Sequence, residues 1–215
     1  MHLDDVIAFF KPHKTVPITP WRAEHRWQLS PSRVGILFFG LAIFGLGDSL
    51  LVQGDVGNAP WTVFAQGLTF KTGLSIGWAT AIISIFVLLI WIPLNEKPGF
   101  GTLSNIVLIA AFIEIGTHIF PKQTSTWAGV IFALIGIAMV GLGSALYITC
   151  GLGPGPRDGL MTGIHFKTGI RVGRVRLAIE GSVLALGWVL GGTVGLGTLL
   201  FALLIGQSIA ISLGV

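Results

Sequence analysis

Shifting the chain by 96 positions lays its first half on its second without a gap, and no other feature restricts the fold so much. Arg33 to Ile119 falls on Gly129 to Val215. Gly-Leu-Gly at 45–47 meets Gly-Leu-Gly at 141–143, Gly57 meets Gly153, Pro60 meets Pro156, and Phe-Lys-Thr-Gly at 70–73 recurs at 166–169. From 45 to 116, 24 of 72 positions are identical to their counterparts at 141–212. Shared apolar bias would pair leucine with leucine, but it would not hold glycine, proline and lysine in register, so the chain is read as a duplicated unit.

Each unit carries three apolar stretches, at about 34–53, 75–94 and 101–120, then 129–149, 172–190 and 197–214. At a rise of about 1.5 Å per residue each is long enough for a hydrocarbon core of about 30 Å. With 53% hydrophobic and only 10% charged residues and a mean hydropathy of +0.85, the chain lies far from soluble composition, where about 25% of residues are charged. A soluble enzyme, a disulfide scaffold and a disordered tail are excluded. The expected fold is an all-α polytopic membrane protein with six transmembrane helices. Its parts are a polar basic tail (1–33), a first three-span repeat (34–120), a linker (121–128) and a second repeat (129–215). Asp4 and Asp5 stand where a signal peptide would be basic, and the apolar run at 6–10 is too short for one. The single Cys150 leaves no internal disulfide.

Between the first and second stretches of each unit lies a segment too short and too polar to cross, at 57–73 and 153–169. Proline opens each one after a glycine-containing turn and glycine closes it, which predicts a helix of about 11 residues, re-entrant or interfacial. With the N-terminus inside and six crossings, eleven Lys and Arg fall inside and only Lys71 and Lys122 outside. An odd number of spans per unit then makes the halves an inverted repeat, as in many transporters. Eight full crossings in two parallel units give the same charge tally. Length favours six, because a short segment holding Arg157, Asp158 and His165 cannot cover a core needing about 17 apolar positions.

The turns before the short helices are the candidate substrate-binding positions: Gly57, Asn58 and Pro60 in the first copy, Gly153, Gly155 and Pro156 in the second. A helix start presents unpaired N–H groups and a partial positive charge, and glycine lets backbone approach a ligand. Packing competes with binding here, because glycines at 151, 155, 159 and 163 recur every fourth residue. Arg157 and Asp158 follow Pro156 where the first copy has Trp61 and Thr62. Asp158 suits a first helical turn or an ion pair with a neighbouring arginine, and Arg157 suits an anionic headgroup or solute. Asp48, Glu114 and Glu180 are ionisable groups inside apolar stretches, where a carboxylate faces a partner or a water-filled path. Arg176 is the local partner of Glu180. His118 stands beside Glu114, and a proton or cation role is open for Asp48 and Glu114. Lys71 and Lys167 suit helix C-termini. The tryptophans and Tyr147 read as interface anchors and packing. No zinc spacing, Walker loop or nucleophile elbow occurs, so no enzyme, cofactor or metal is expected.

The Gly-Leu-Gly, Gly-Pro-Gly-Pro-Arg-Asp-Gly and Gly-x-Gly-Thr pattern resembles the YczE/YyaS/YitT family of bacterial integral membrane proteins, chiefly the YczE branch, over nearly all the chain after the tail. Residues 151–163 are the most specific stretch. The resemblance implies a multi-span protein of the bacterial cytoplasmic membrane and supplies no catalytic residues. The first copy departs from Pro-Arg-Asp-Gly, reading Pro-Trp-Thr-Val at 60–63. Two functions follow as expectations. One is a small-solute transporter with its site where the short helices meet, taking a small polar or anionic solute. The other is a non-transporting accessory or scaffold protein, binding a membrane partner or a second copy through small-residue faces such as Gly187 and Gly191. Lipid is the expected surrounding, and nucleic acid is not an expected partner.

Overall fold

A computed structural model describes residues 16–214, and its regular elements there are eight helices. They are α1 (Pro31–Gly54), α2 (Pro60–Thr72), α3 (Ile76–Leu94), α4 (Phe100–Ile119), α5 (Thr126–Thr149), α6 (Pro156–Thr168), α7 (Val172–Val189) and α8 (Leu196–Ser212). The readings placed on Asp4, Asp5, the apolar run at 6–10, Lys11 and Lys14 lie outside the described residues. Residues 16–30 are irregular and dock on the end of α5. The Ala23 amide donates to the Cys150 carbonyl at 2.9 Å, and the Trp21 indole donates to Thr149 Oγ1 at 3.2 Å.

Local sequence accounts for the helix ends. Ser30 Oγ accepts from the Arg33 amide at 3.3 Å with proline next in line, which starts α1. Pro60 and Pro156 open α2 and α6, each 13 residues long, and Gly73 and Gly169 close them in the left-handed region at φ 74° and 72°. At about 20 Å, neither short helix reaches across a hydrocarbon core.

Four helices, α1, α3, α4 and α5, are long and apolar enough to cross a membrane, fewer than the six expected. The other two fall short for separate reasons. α8 has 17 residues because its helix stops at Ser212, and α7 carries Arg174, Arg176 and Glu180 along 18 residues. Phe39, Trp78, Phe86, Ile92, Val107 and Trp127 are 63–81% exposed. So many outward-facing large apolar groups fit a lipid surrounding and not water.

Helix packing follows the 96-residue shift. α1 and α5 cross antiparallel, with Gly40 against Gly143, Gly47 against Gly136 and Gly54 against Gly129. Exchanging each residue for its counterpart turns the first contact into the second. Small residues there bring backbones together, which favours helix association in lipid, where burying apolar surface gains little. The short helices pack on the opposite copy: α2 lies on α7 through Gly67 and Gly187, and α6 lies on α3 through Gly159 and the Trp91 ring. The turns obey the same exchange. Gly57 (φ 115°) lies against Gly195 and Thr198, while Gly153 (φ 113°) lies against Gly99 and Thr102, positions where a side chain would clash as well as strain the backbone. Leu37, Leu41, Leu51, Val63, Trp91 and Ile113 form the fully buried interior.

Candidate functional site

The Thr62 hydroxyl donates to Asp48 Oδ2 at 3.0 Å. Asp48 sits about 9 Å along the axis from the end of α1, so the first turn of α2 lies well inside the helix bundle. The start of α6 reaches the same region from the other copy. There the Arg157 guanidinium lies over the Trp61 ring, 5.2 Å from its centroid, in cation–π geometry. Residues 61 and 157 are counterparts under the repeat, so a contact between them marks where the two copies face each other.

A cavity of about 110 Å³ opens at this point, lined by Ala59, Pro60 and Trp61 from one helix start and by Gly155, Arg157 and Asp158 from the other. Ser84, Asn105, Ser144 and Tyr147 supply further polar wall, and the Arg176–Glu180 ion pair, 3.0 Å long, closes one side. The Tyr147 hydroxyl donates to Asp158 Oδ2 at 2.5 Å. Arg157 makes no hydrogen bond or ion pair among the described residues, although Asp48, Asp158 and Glu180 lie within its electrostatic reach.

The copies have exchanged chemistry at matched positions. The first places its carboxylate on the long helix (Asp48) and its hydroxyl on the short one (Thr62); the second has Ser144 and Asp158 in those places. The two ends of the cavity differ as well. Toward the first copy's turn, the Asn58 amide group donates to Gln66 Oε1 at 2.9 Å, the Thr193 backbone amide donates to the same oxygen at 2.7 Å, and the Asn58 backbone amide donates to the Thr193 carbonyl at 3.2 Å. Asn58 thus ties two turns together and is fully buried. Toward the second copy's turn, a further opening of about 300 Å³ shares Tyr147, Ile148 and Asp158 with the central cavity and reaches Gly153, Pro154 and Arg26.

Of the residues singled out from sequence, the cavity brings together Pro60, Gly155, Arg157, Asp158 and Glu180. Asp48 joins through Thr62, and Gly153 lies at the second opening. Gly57 and Asn58 form the closed turn. Glu114 is elsewhere: its Oε2 accepts from the Gly77 amide at 2.9 Å, capping α3, with His118 Nδ1 3.9 Å from its other oxygen. Asp158 forms no ion pair with an arginine, since Tyr147 satisfies it. Lys167 Nζ donates to the Pro93 carbonyl at 3.0 Å, tying α6 to the end of α3. The Gly187–Gly191 face does not exist as one face: Gly187 packs on Val63 and Phe64 within the chain, and Gly191 lies past the end of α7 at φ 101°.

Sequence reasoning missed Tyr147, Trp61, Trp91, Ser84 and Asn105. Interface anchoring and packing were expected of the aromatic residues together; Tyr147, Trp61 and Trp91 are buried, whereas Trp78, Trp127 and Trp188 are exposed, a division that sequence does not give. The change from Trp61 to Arg157 directly after the matched prolines Pro60 and Pro156 was the available signal.

The model of the family of unknown function DUF6198 matches residues 31–213, from the first residue of α1 to the end of α8. The chain belongs to this family. Among its relatives, an uncharacterized protein of Haemophilus influenzae is 45% identical over 205 residues, covering 95% of this chain and 94% of the relative. The uncharacterized membrane protein YczE of Bacillus subtilis is 36% identical over 178 residues, covering 82% of this chain and 83% of its own. The uncharacterized protein YyaS of the same organism is 28% identical over 169 residues, or 75% and 82% of the two chains. No solved structure matches. Apolar helices and the YczE likeness together make this an integral membrane protein in contact with the lipid bilayer.

Proposed function

We propose that this protein is a small-solute permease without enzymatic activity, built as a six-span inverted repeat with its N-terminus in the cytoplasm of a bacterial cell. Its solute site is the cavity between the starts of α2 and α6. The observation that carries this reading is that both short helices open on one central cavity beside Arg157, which has no hydrogen-bond or ion-pair partner among the described residues. Half-helix starts at membrane depth are how many transporters hold polar cargo.

The antiparallel α1–α5 crossing supports the inverted arrangement, because two matched helices that run opposite ways are related by an axis perpendicular to them. α7 and α8 then complete the count of six. On α7, Arg176 and Glu180 face the cavity, a placement that tolerates charge in a membrane helix. The opening toward Arg26 makes this conformation the inward-facing one, with the Asn58–Gln66–Thr193 network closing the outer side. An accessory role loses its main support, because Gly187 is already used inside the chain.

The test is solute flux into vesicles containing the purified protein, compared with Arg157→Ala and Asp48→Asn. Flux that both substitutions reduce supports the reading, and a broad solute panel showing none refutes it. Single cysteines at positions 71 and 167 in a Cys150→Ser background test the orientation on intact cells with an impermeant label. Labelling at 71 with protection at 167 fits the inverted repeat, and protection at both fits eight spans.

A further inference from the structure

Within the permease reading, the groups facing the cavity specify the charge of the solute. The backbone amides of Trp61, Thr62, Arg157 and Asp158 have no acceptor among the described residues, and neither short helix has a side-chain N-cap. Proline at the first position of each helix removes one amide, so these four are the orphan donors left. The Trp61 indole N–H is also buried without an acceptor, although Trp61 lines the cavity and is only 6% exposed. Arg157 adds up to five more donors, none used.

The carboxylates that line the cavity are each engaged: Asp158 takes the Tyr147 hydroxyl and Glu180 is paired with Arg176. Asp48 and Asn58 lie behind the wall, and there Asp48 Oδ2 takes the Thr62 hydroxyl while Asp48 Oδ1 and Asn58 Oδ1 are buried acceptors without a donor. On the lining itself the charges of Arg157 and Arg176 balance those of Asp158 and Glu180, and the free hydrogen-bonding capacity is mostly that of donors at two helix starts whose dipoles both favour negative charge.

We propose that the cavity binds a small planar monovalent oxyanion, held by the Arg157 fork and the first-turn amides of α2 and α6. A guanidinium donates to two coplanar oxygens in a bidentate pair, the geometry that a carboxylate or nitrate offers. Size restricts the ligand further. The cavity measures about 110 Å³, smaller than the engineered void of about 150 Å³ that admits benzene, a volume that formate, acetate and nitrate fit. Trp61 holds the Arg157 plane from one side, leaving the edge of the guanidinium for the anion.

Calorimetric titration of the full-length protein in phosphatidylcholine nanodiscs tests this. Sodium acetate, formate and nitrate are compared with sodium chloride and with methylammonium chloride at equal ionic strength. The expected result is saturable one-site binding of acetate or formate. Nitrate in place of the carboxylates would point to an inorganic oxyanion with the same contacts. Arg157→Gln should weaken binding about ten-fold or more, the scale of one lost charge-assisted hydrogen bond. Arg157→Lys should restore part of that loss. Trp61→Phe removes the orphan N–H together with the five-membered ring that carries it, keeps an aromatic face beside Arg157, and should weaken binding several-fold, which keeps the test decisive if Arg157→Gln does not fold. Saturable methylammonium binding, no binding by any oxyanion, or oxyanion binding indifferent to both Arg157→Gln and Trp61→Phe would each overturn the proposal. Oxyanion binding without flux in vesicles refutes the permease and leaves the site standing. Flux of a cation or neutral solute without oxyanion binding does the reverse.

Discussion

Replacing Gly47 by alanine probes the α1–α5 crossing on which the proposed inverted arrangement rests. A Cβ there would lie 2.8 Å from the Gly136 carbonyl oxygen and 2.9 Å from the Val140 amide nitrogen, both backbone atoms of α5. An unstrained carbon-to-oxygen contact is about 3.3 Å or longer, so the helices must part by about half an ångström. A gap of that size forfeits about a quarter of each dispersion contact it opens. Overpacking of this kind costs about 1–3 kcal/mol, against which alanine gains up to about 1 kcal/mol over glycine in helix propensity. Gly35 is the internal control: it lies in the same helix, is exposed, and has nothing within 4 Å of its missing Cβ. Reversible denaturation in mixed detergent micelles should therefore show Gly47→Ala less stable than Gly35→Ala by about 2 kcal/mol. Gly143→Ala should resemble Gly47→Ala, because its Cβ would press on the Gly40 carbonyl in the matching contact. Equal stabilities for Gly35→Ala and Gly47→Ala would refute the close crossing, and with it the support for an axis between the copies.

Thr62→Val keeps the side-chain shape but leaves the buried Asp48 carboxylate without its donor; a loss of about 1–3 kcal/mol is expected, and Asp48→Asn in the same background should recover part of it in a double-mutant cycle. Asp158→Cys places a thiol at the junction of the two openings, and adding Tyr147→Phe, which removes the hydroxyl beside it, should leave its reaction with a soluble thiol reagent at least as fast; slower reaction would contradict the position of Tyr147 between the openings. Burial pushes the Cys150 thiol up to about 11 from 9.0, against a smaller opposing pull from Arg33. Maleimide should leave folded protein unmodified at pH 7 and react on denaturation. The unfolded thiol ionises first as pH rises, so this contribution to stability is intact below about pH 9 and is lost as pH climbs through about 11; alkylation of folded protein at pH 7 would count against the burial.

The sequence alone determined the local events. Proline and glycine at matched places set both ends of α2 and α6, and the apolar stretches set the long helices to within a few residues, because capping chemistry and hydropathy act over one or two turns. The 96-residue repeat was equally legible, since a duplication is a property of the letters. Which groups meet was not. Arg157 on Trp61, Thr62 on Asp48 and Tyr147 on Asp158 join residues through helix packing, and no spacing rule links them. Glu114 and Asp48 looked alike as lone carboxylates in apolar runs, yet one caps α3 and the other stands behind the cavity, a difference decided by which helix packs beside each. Hydropathy also could not say which way the charges of α7 face; Arg176 and Glu180 line the cavity only through packing. The antiparallel pairing of α1 and α5 came from tertiary structure alone: a duplicated sequence lets two matched helices run the same way or opposite ways, and only the backbone contacts at Gly40, Gly47 and Gly54 fix how these two cross.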